Sequence, residues 1–314
     1  MKKVLFATTA LIATAGMAAA DVTFGGYGRF GLNYNTAAGA DLLLDTADDT
    51  NSTDVTYRYR LQIDASAESD AGVTFGARVR IQQNTGGTGT GINSARFFAR
   101  TGGLEVGVGN IFGALEFMPG MYPIDLGLTG LGYDYTAYNF QGDAYSSGGT
   151  GAAAANGVEV MYSAGDLSLH ISASDTNSRV AAHAAYTFSG WTVALGVQDS
   201  TAATDTELAF SVGGTIGIAD VTLAYADNGT SGDQFVLAGR FDVGAATNVE
   251  VYYADRSGDT SDRNAAAAGV QSYNGDSYGI DVNHDMGGGT SIRGGVAKQF
   301  TGITRADLGV RFNF

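Results

Sequence analysis

Thr304 to Phe314 alternate with a strict period of two: Ala306, Leu308, Val310, Phe312 and Phe314 fall on one face, Arg305, Asp307, Gly309, Arg311 and Asn313 on the other. Successive side chains of a strand point to opposite faces, so this segment reads as a strand with hydrocarbon on one side and water on the other. Past the first twenty residues the sequence has no run of about eighteen apolar residues, the mark of a transmembrane helix. A chain that meets lipid with strands alone must close them into a barrel, because every backbone polar group in hydrocarbon needs a partner within the protein.

The amino-terminal segment fits that destination. Lys2 and Lys3 give a basic start, Val4 to Met17 an apolar stretch too short to span a bilayer, and Ala18 to Ala20 a small-residue cleavage site. Residues 1–20 are therefore expected to be a secretory signal and 21–314 the barrel. Of the 17 lysines and arginines, Lys2 and Lys3 leave with the signal, so 15 stand against 32 acidic residues, a balance of −17. Such a surface does not seek nucleic acid. Cysteine is absent although the signal directs the chain to an oxidising compartment, so hydrogen-bonded closure rather than disulfides must hold the fold. The two prolines agree, since a closed sheet has no edge strand to accommodate them.

Period-two segments recur along the chain. On the first strand Val22, Phe24, Phe30, Leu32 and Tyr34 face one way and Thr23, Tyr27, Arg29 and Asn33 the other. Outward parity also takes in Gly26 and Gly28, so Phe24, Gly26, Gly28 and Phe30 offer a surface able to pack against another barrel. Val55 to Ala67 and Val73 to Gln82 alternate as an antiparallel hairpin about a short turn. Twelve further segments, with the terminal one, bring the expected count to sixteen, with short turns alternating with long polar loops as in transmembrane barrels. Two registers are open around Ser94 to Arg100 and Gly214 to Asp220, and a slip there gives fourteen or eighteen strands. Sixteen strands about 4.8 Å apart and tilted by about 40° enclose a bore roughly 30 Å across, which side chains cannot fill. It must hold water or a plug.

One connection breaks the alternation. Residues 113–157 carry both prolines, Pro119 and Pro123, the carboxylates Glu116, Asp125, Asp134 and Asp143, and apolar anchors from Phe117 to Leu131. A loop this long is functional more often than structureless, and its anchors predict that it folds into the lumen as a constriction. The basic residues supply the opposite side. Arg29, Arg58, Arg60, Arg78, Arg80, Arg96 and Arg100 lie on the first four strands and Arg293, Lys298, Arg305 and Arg311 on the last two, which become neighbours on closure. All but Lys298 take the polar parity. Such an arc either braces the wall through ion pairs or sets a transverse field across the bore, and the two roles are compatible.

The segments Asp21 to Asn33 (DVTFGGYGRFGLN), Gly72 to Ile81 (GVTFGARVRI), Leu104 to Asn110 (LEVGVGN) and Ala306 to Phe314 (ADLGVRFNF) resemble the general diffusion porins of alphaproteobacteria, of the Rhodobacter kind. The resemblance implies an all-β, 16-stranded antiparallel transmembrane β-barrel in the outer membrane and a homotrimer with one pore per subunit. It further implies a third loop narrowing each pore, with Arg29, Arg58, Arg60, Arg78 and Arg80 as the cationic side of the constriction and Glu116, Asp125, Asp134 and Asp143 as the acidic side. The function it implies is passive diffusion of ions and small hydrophilic solutes, with outer-membrane lipid and lipopolysaccharide around the barrel.

Other signals weigh less. Gly26 to Gly31 matches the spacing G-x-G-x-x-G, but it sits within a strand with no helix after it, so a dinucleotide cofactor is not expected. His170, His183 and His284 are far apart in sequence and no activated serine accompanies them, so no enzyme activity is expected. Asp41, Asp45, Asp48, Asp49 and Asp54, and Asp255, Asp259 and Asp262, form acidic loops where calcium binding competes with a solvated rim as the reading. A substrate-specific channel for sugars or anions needs an aromatic slide or a lysine-rich bore. An adhesive or structural barrel would carry no current.

Overall fold

Residues 20–36, 52–87, 89–138, 143–145, 147, 156–201, 206–229, 232–257 and 274–314 are described by the computed structural model. The alternating segments form β1 (Asp21–Asn35), β2 (Ser52–Glu68), β3 (Thr74–Asn84), β4 (Arg96–Thr101), β5 (Leu104–Gly109), β6 (Gly157–Ala164), β7 (Leu167–Ser174) and β8 (Val180–Phe188). They continue as β9 (Trp191–Asp199), β10 (Glu207–Ile216), β11 (Ala219–Asp227), β12 (Asp233–Gly244), β13 (Thr247–Ser257), β14 (Gly275–Gly287), β15 (Thr290–Lys298) and β16 (Thr304–Asn313). A two-residue strand, Gly91–Ile92, adds to β3 within the second long loop. Each strand pairs antiparallel with the next, and β1 pairs with both β2 and β16, so the sheet closes with no free edge. The two open registers resolve to the sixteen-strand count: β4 pairs Phe97 with Val108, and β10 runs to Ile216 before a turn at 217–218.

The parity of the sequence holds on the barrel. Phe24, Phe30, Leu195 and Leu308 are exposed on the outside, the surface that hydrocarbon covers, whereas Asp307, between Ala306 and Leu308, is buried on the inside. Lys298 ends β15 on the exposed side, as its parity indicated.

Closure differs from expectation in one respect. Gly26 and Gly28 are not a free outward patch, because the carboxyl-terminal rings of the same chain lie across them. A Cβ on Gly28 would stand 2.3 Å from the Phe312 ring, and one on Gly26 would meet the Phe314 ring at 3.1 Å. Phe314 exchanges both backbone hydrogen bonds with Gly26, at 2.9 and 3.1 Å, and stacks on Tyr59 at 5.6 Å between centroids. Glycine here lets the terminal aromatics seal the β1–β16 seam.

The core lies inside the barrel. The long connection between β5 and β6, residues 110–156 because Gly157 opens β6, is the third long loop, L3. Its Leu115, Met118, Met121, Leu126 and Leu131 are at most 3% exposed and pack on inward-facing Ala185, Ala194, Ala209, Ala224, Ala238 and Ala254 of β8 to β13. Burying each such side chain contributes roughly 1.5–3 kcal/mol over leaving it in water, so L3 is docked on the wall rather than suspended in the bore.

Candidate functional site

L3 enters the lumen at Phe112 and hugs the inner wall. Ala114 N–H donates to Ser172 on β7, Pro119 C=O accepts from Ser211 on β10, and Asp125 N–H donates to Glu250 on β13. The apex is then held by a row of inward carboxylates. Asp281 accepts Gly127 N–H at 2.5 Å, and Asp307 accepts Leu128 N–H, Thr129 N–H and the Thr129 hydroxyl at 2.9, 2.8 and 2.6 Å. Leu128 itself fits over Gly31 and Gly309, cross-strand partners on β1 and β16, whose added Cβ atoms would stand 2.9 and 2.6 Å from the leucine methyl. Two glycines side by side on the inner face thus make the seat for the loop's tip.

This course lines the inner face from β7 round to β16 and touches the remaining side through Leu128 on Gly31 and Arg29 of β1 and through Tyr145 and Ser147 on Arg78 and Arg80 of β3, leaving the rest of the β2–β3 wall to the lumen. The open wall carries a ladder. In the β2–β3 register Arg58 faces Asn84, Arg60 faces Gln82, Gln62 faces Arg80 and Asp64 faces Arg78. Each rung is one arginine and one acceptor: the Nε of Arg58, Arg60 and Arg80 donates to amide oxygens at 2.6, 2.6 and 2.8 Å, and that of Arg78 to Asp64 at 2.6 Å. An amide aligns a guanidinium without cancelling its charge. Among the described residues Arg58, Arg60 and Arg80 make no ion pair, so three aligned positive charges face the lumen.

Arg29 and Arg78, expected in the same cluster, are committed elsewhere. Arg29 donates to the Leu128 carbonyl of the L3 apex at 2.5 Å, and Arg78 is paired to Asp64 with its guanidinium 5.7 Å from the Phe112 ring centroid. Arg311, Arg29 and Arg58 are successive register neighbours across β16, β1 and β2. Like charges so placed repel. The Leu128 carbonyl, Asn84 and the Tyr27 hydroxyl hold them in line.

The four expected carboxylates divide. Asp125 has a 60% exposed side chain and takes Arg293 and Arg311 on one oxygen, at 2.6 and 2.9 Å. Glu116 is half-buried and accepts from the Tyr122 hydroxyl at 2.7 Å, and burial raises its carboxyl above the usual range against the opposing effect of that bond. Asp134 and Asp143 correct the expectation, because both turn to the wall. Asp134 accepts the Phe300 N–H at 2.9 Å and is likewise raised by burial. Asp143, 5% exposed, binds Arg179 at 2.7 Å and Ser174 at 2.9 Å. Among the described residues, the large or charged L3 side chains that are exposed are instead Phe117, Tyr122, Asp125 and Tyr133.

The root of L3 gathers residues that sequence order separates. His170 and His183 are direct partners in the β7–β8 register, with ring centroids 5.4 Å apart. His170 Nε2 meets Glu159 at 2.9 Å, and His183 Nδ1 meets the Ala114 carbonyl at 2.5 Å. Glu159 also accepts Arg96 Nε at 2.5 Å and Phe112 N–H at 3.0 Å, so these groups brace the loop's entry. Of the acidic loops, Asp54 and Asp255 are described, and Asp41, Asp45, Asp48, Asp49, Asp259 and Asp262 lie outside the described residues.

Comparison with known proteins agrees with this architecture. A family model described as Gram-negative porin matches residues 7–303. The chain is 32% identical to a porin of Fuscovulum blasticum and 29% identical to a porin of Rhodobacter capsulatus, in each case over 94% of this chain and all of the relative. A triple mutant of the Rhodopseudomonas blastica porin superposes with a TM-score of 0.78 at 27% identity, covering 94% of this chain and the whole of that structure. A closed sixteen-stranded barrel with an inward third loop, matched along nearly its full length by such proteins, belongs to the Gram-negative porin family and is an outer-membrane β-barrel channel.

Proposed function

We propose that the lumen passes ions and small hydrophilic solutes by passive diffusion, with no covalent chemistry, through an eyelet between the arginine ladder and L3. Arg58, Arg60 and Arg80 form its positive side, and Asp125 and Glu116 its loop side. The observation that carries this reading is that amides, not carboxylates, align those three arginines, which preserves their field across the gap. Replacing Arg58 and Arg60 together by Ala is expected to raise cation preference, and replacing Asp125 by Asn to raise anion preference, since Arg293 and Arg311 then lose their counter-charge. Both shifts shrink as salt is raised. Reversal potentials under a salt gradient read the result: absent or same-direction shifts would show that the arginines only brace the wall.

We further propose a homotrimer in which the low side of the barrel is covered by neighbouring copies. β4 and β5 have six residues each, roughly 20 Å of extended chain and less once tilted, whereas a membrane-spanning strand needs about nine to eleven residues. A second barrel against that side spares its polar rims from hydrocarbon. Light scattering in mild detergent should give three copies per particle that separate on heating, and a monodisperse monomer in several detergents defeats the proposal.

A further inference from the structure

Resting on the channel reading above, we propose that the eyelet contains an adsorption subsite for organic anions with an aromatic ring, held between the guanidiniums of Arg58, Arg60 and Arg80 and the lumen-facing rings of Phe117, Tyr122 and Tyr133.

The rings are the unexplained part of the constriction. Phe117, Tyr122 and Tyr133 are 49%, 44% and 46% exposed, while the residues between them, Met118, Met121, Ile124 and Leu126, are buried against the wall. L3 lies within a closed barrel, so that exposure opens only on the lumen. A water-filled bore gives no reason to leave three large apolar faces uncovered, and a hydrated channel lining is better served by polar side chains. Two of the rings, Tyr122 and Tyr133, meet edge to face at 6.4 Å, and Phe117 tilts against Phe112 at 4.4 Å.

The opposite wall supplies the second half of the recognition. Beyond the Nε bonds to Asn84, Gln82 and Gln62, Arg58 Nη1 donates to the Tyr27 hydroxyl and Arg80 Nη1 to Ser147, and the five N–H groups of each guanidinium exceed these bonds, which suits a carboxylate or sulfonate. Guanidinium on ring is already the local contact: Arg60 lies 5.2 Å from the Tyr27 centroid and Arg80 4.7 Å from that of Tyr145. The negative groups nearby are weakened competitors for the arginines. Asp125 is occupied by two guanidiniums, and Glu116 is capped by Tyr122 and favoured toward its neutral form by burial. A flat organic anion satisfies both sides at once, an aliphatic anion only the wall, and an aromatic cation is repelled by the wall.

The test uses the full-length porin in planar bilayers with 2-naphthoate, acetate and a naphthyl-trimethylammonium cation as probes. Naphthoate should interrupt single-channel current reversibly, and the other two should not. Tyr122→Leu and Arg60→Gln should each shorten the interruptions about three- to tenfold, whereas Tyr122→Phe, which keeps the ring, should retain them. Equal block by the aromatic cation, or naphthoate without effect in a conducting pore, overturns the subsite. Titration of naphthoate fluorescence with the detergent-folded barrel reads the site independently of current: saturable binding in a barrel that does not conduct supports the subsite and sinks the channel reading, and its absence sinks the subsite.

Discussion

Replacing Asp307 by Ala is expected to free the apex of L3 and to raise both the conductance and the noise of the single channel, while the barrel itself stays folded. Asp307 is 6% exposed, and its two oxygens take the Leu128 and Thr129 amides and the Thr129 hydroxyl. Alanine leaves the buried Leu128 N–H unpaired at about 1–3 kcal/mol and takes the partner of the half-buried Thr129 N–H as well. The strand ladder is untouched, because the backbone bonds of β16 to β15 and β1 do not pass through this carboxylate. Asp281→Ala should add to the effect, since it removes the Gly127 bond one position along. Asn at 307 keeps one acceptor and should fall between. Amide exchange at Gly127 to Thr129 reports the same event directly, and unchanged exchange with unchanged conductance in the double variant would show that Leu128 in its glycine seat holds the tip unaided.

This carboxylate row also shows where sequence reasoning stopped. Alternation fixed which side chains point inward, because a strand has only two faces and lipid accepts only one kind. It does not say what an inward side chain meets. Glu159, Asp281 and Asp307 share inward parity with Arg58 and Arg60, yet the first three lie under L3 and the arginines face the open lumen. A signal for that division was present. Inward positions of β8 to β13 are repeatedly alanine, at 181, 185, 194, 209, 224, 238 and 254, which suits a docked loop and not a wet wall. The division among the loop carboxylates is hidden for a related reason. L3 has no period, so nothing in its sequence distinguishes Asp125, turned to the lumen, from Asp143, turned to Arg179. The histidines were readable through register, since β7 and β8 form a hairpin that brings His170 opposite His183. Separation along the chain hid the pairing.

The root of L3 should behave differently from its tip. Glu159→Ala is expected to lower the stability of the barrel, not only the order of the loop, because this carboxylate joins three elements at once. It is 1% exposed and binds Arg96 on β4, His170 on β7 and the Phe112 amide that opens L3. Removing it leaves Arg96, whose side chain is 3% exposed, with Glu105 at 2.7 Å and the Phe112 ring at 4.0 Å to share a buried positive charge. Breaking one side of such a buried pair costs about 3–5 kcal/mol. The low side of the barrel, where β4 and β5 are shortest and offer the fewest ladder bonds, has little reserve to absorb it. Glu159→Gln separates charge from shape: it keeps an acceptor for the Phe112 amide but cannot balance Arg96, so it should recover the loop's entry more than the urea midpoint of the detergent-folded barrel. A midpoint for the Ala variant equal to wild type would mean that Glu105 alone compensates Arg96, and that the cluster around Glu159 serves only the loop.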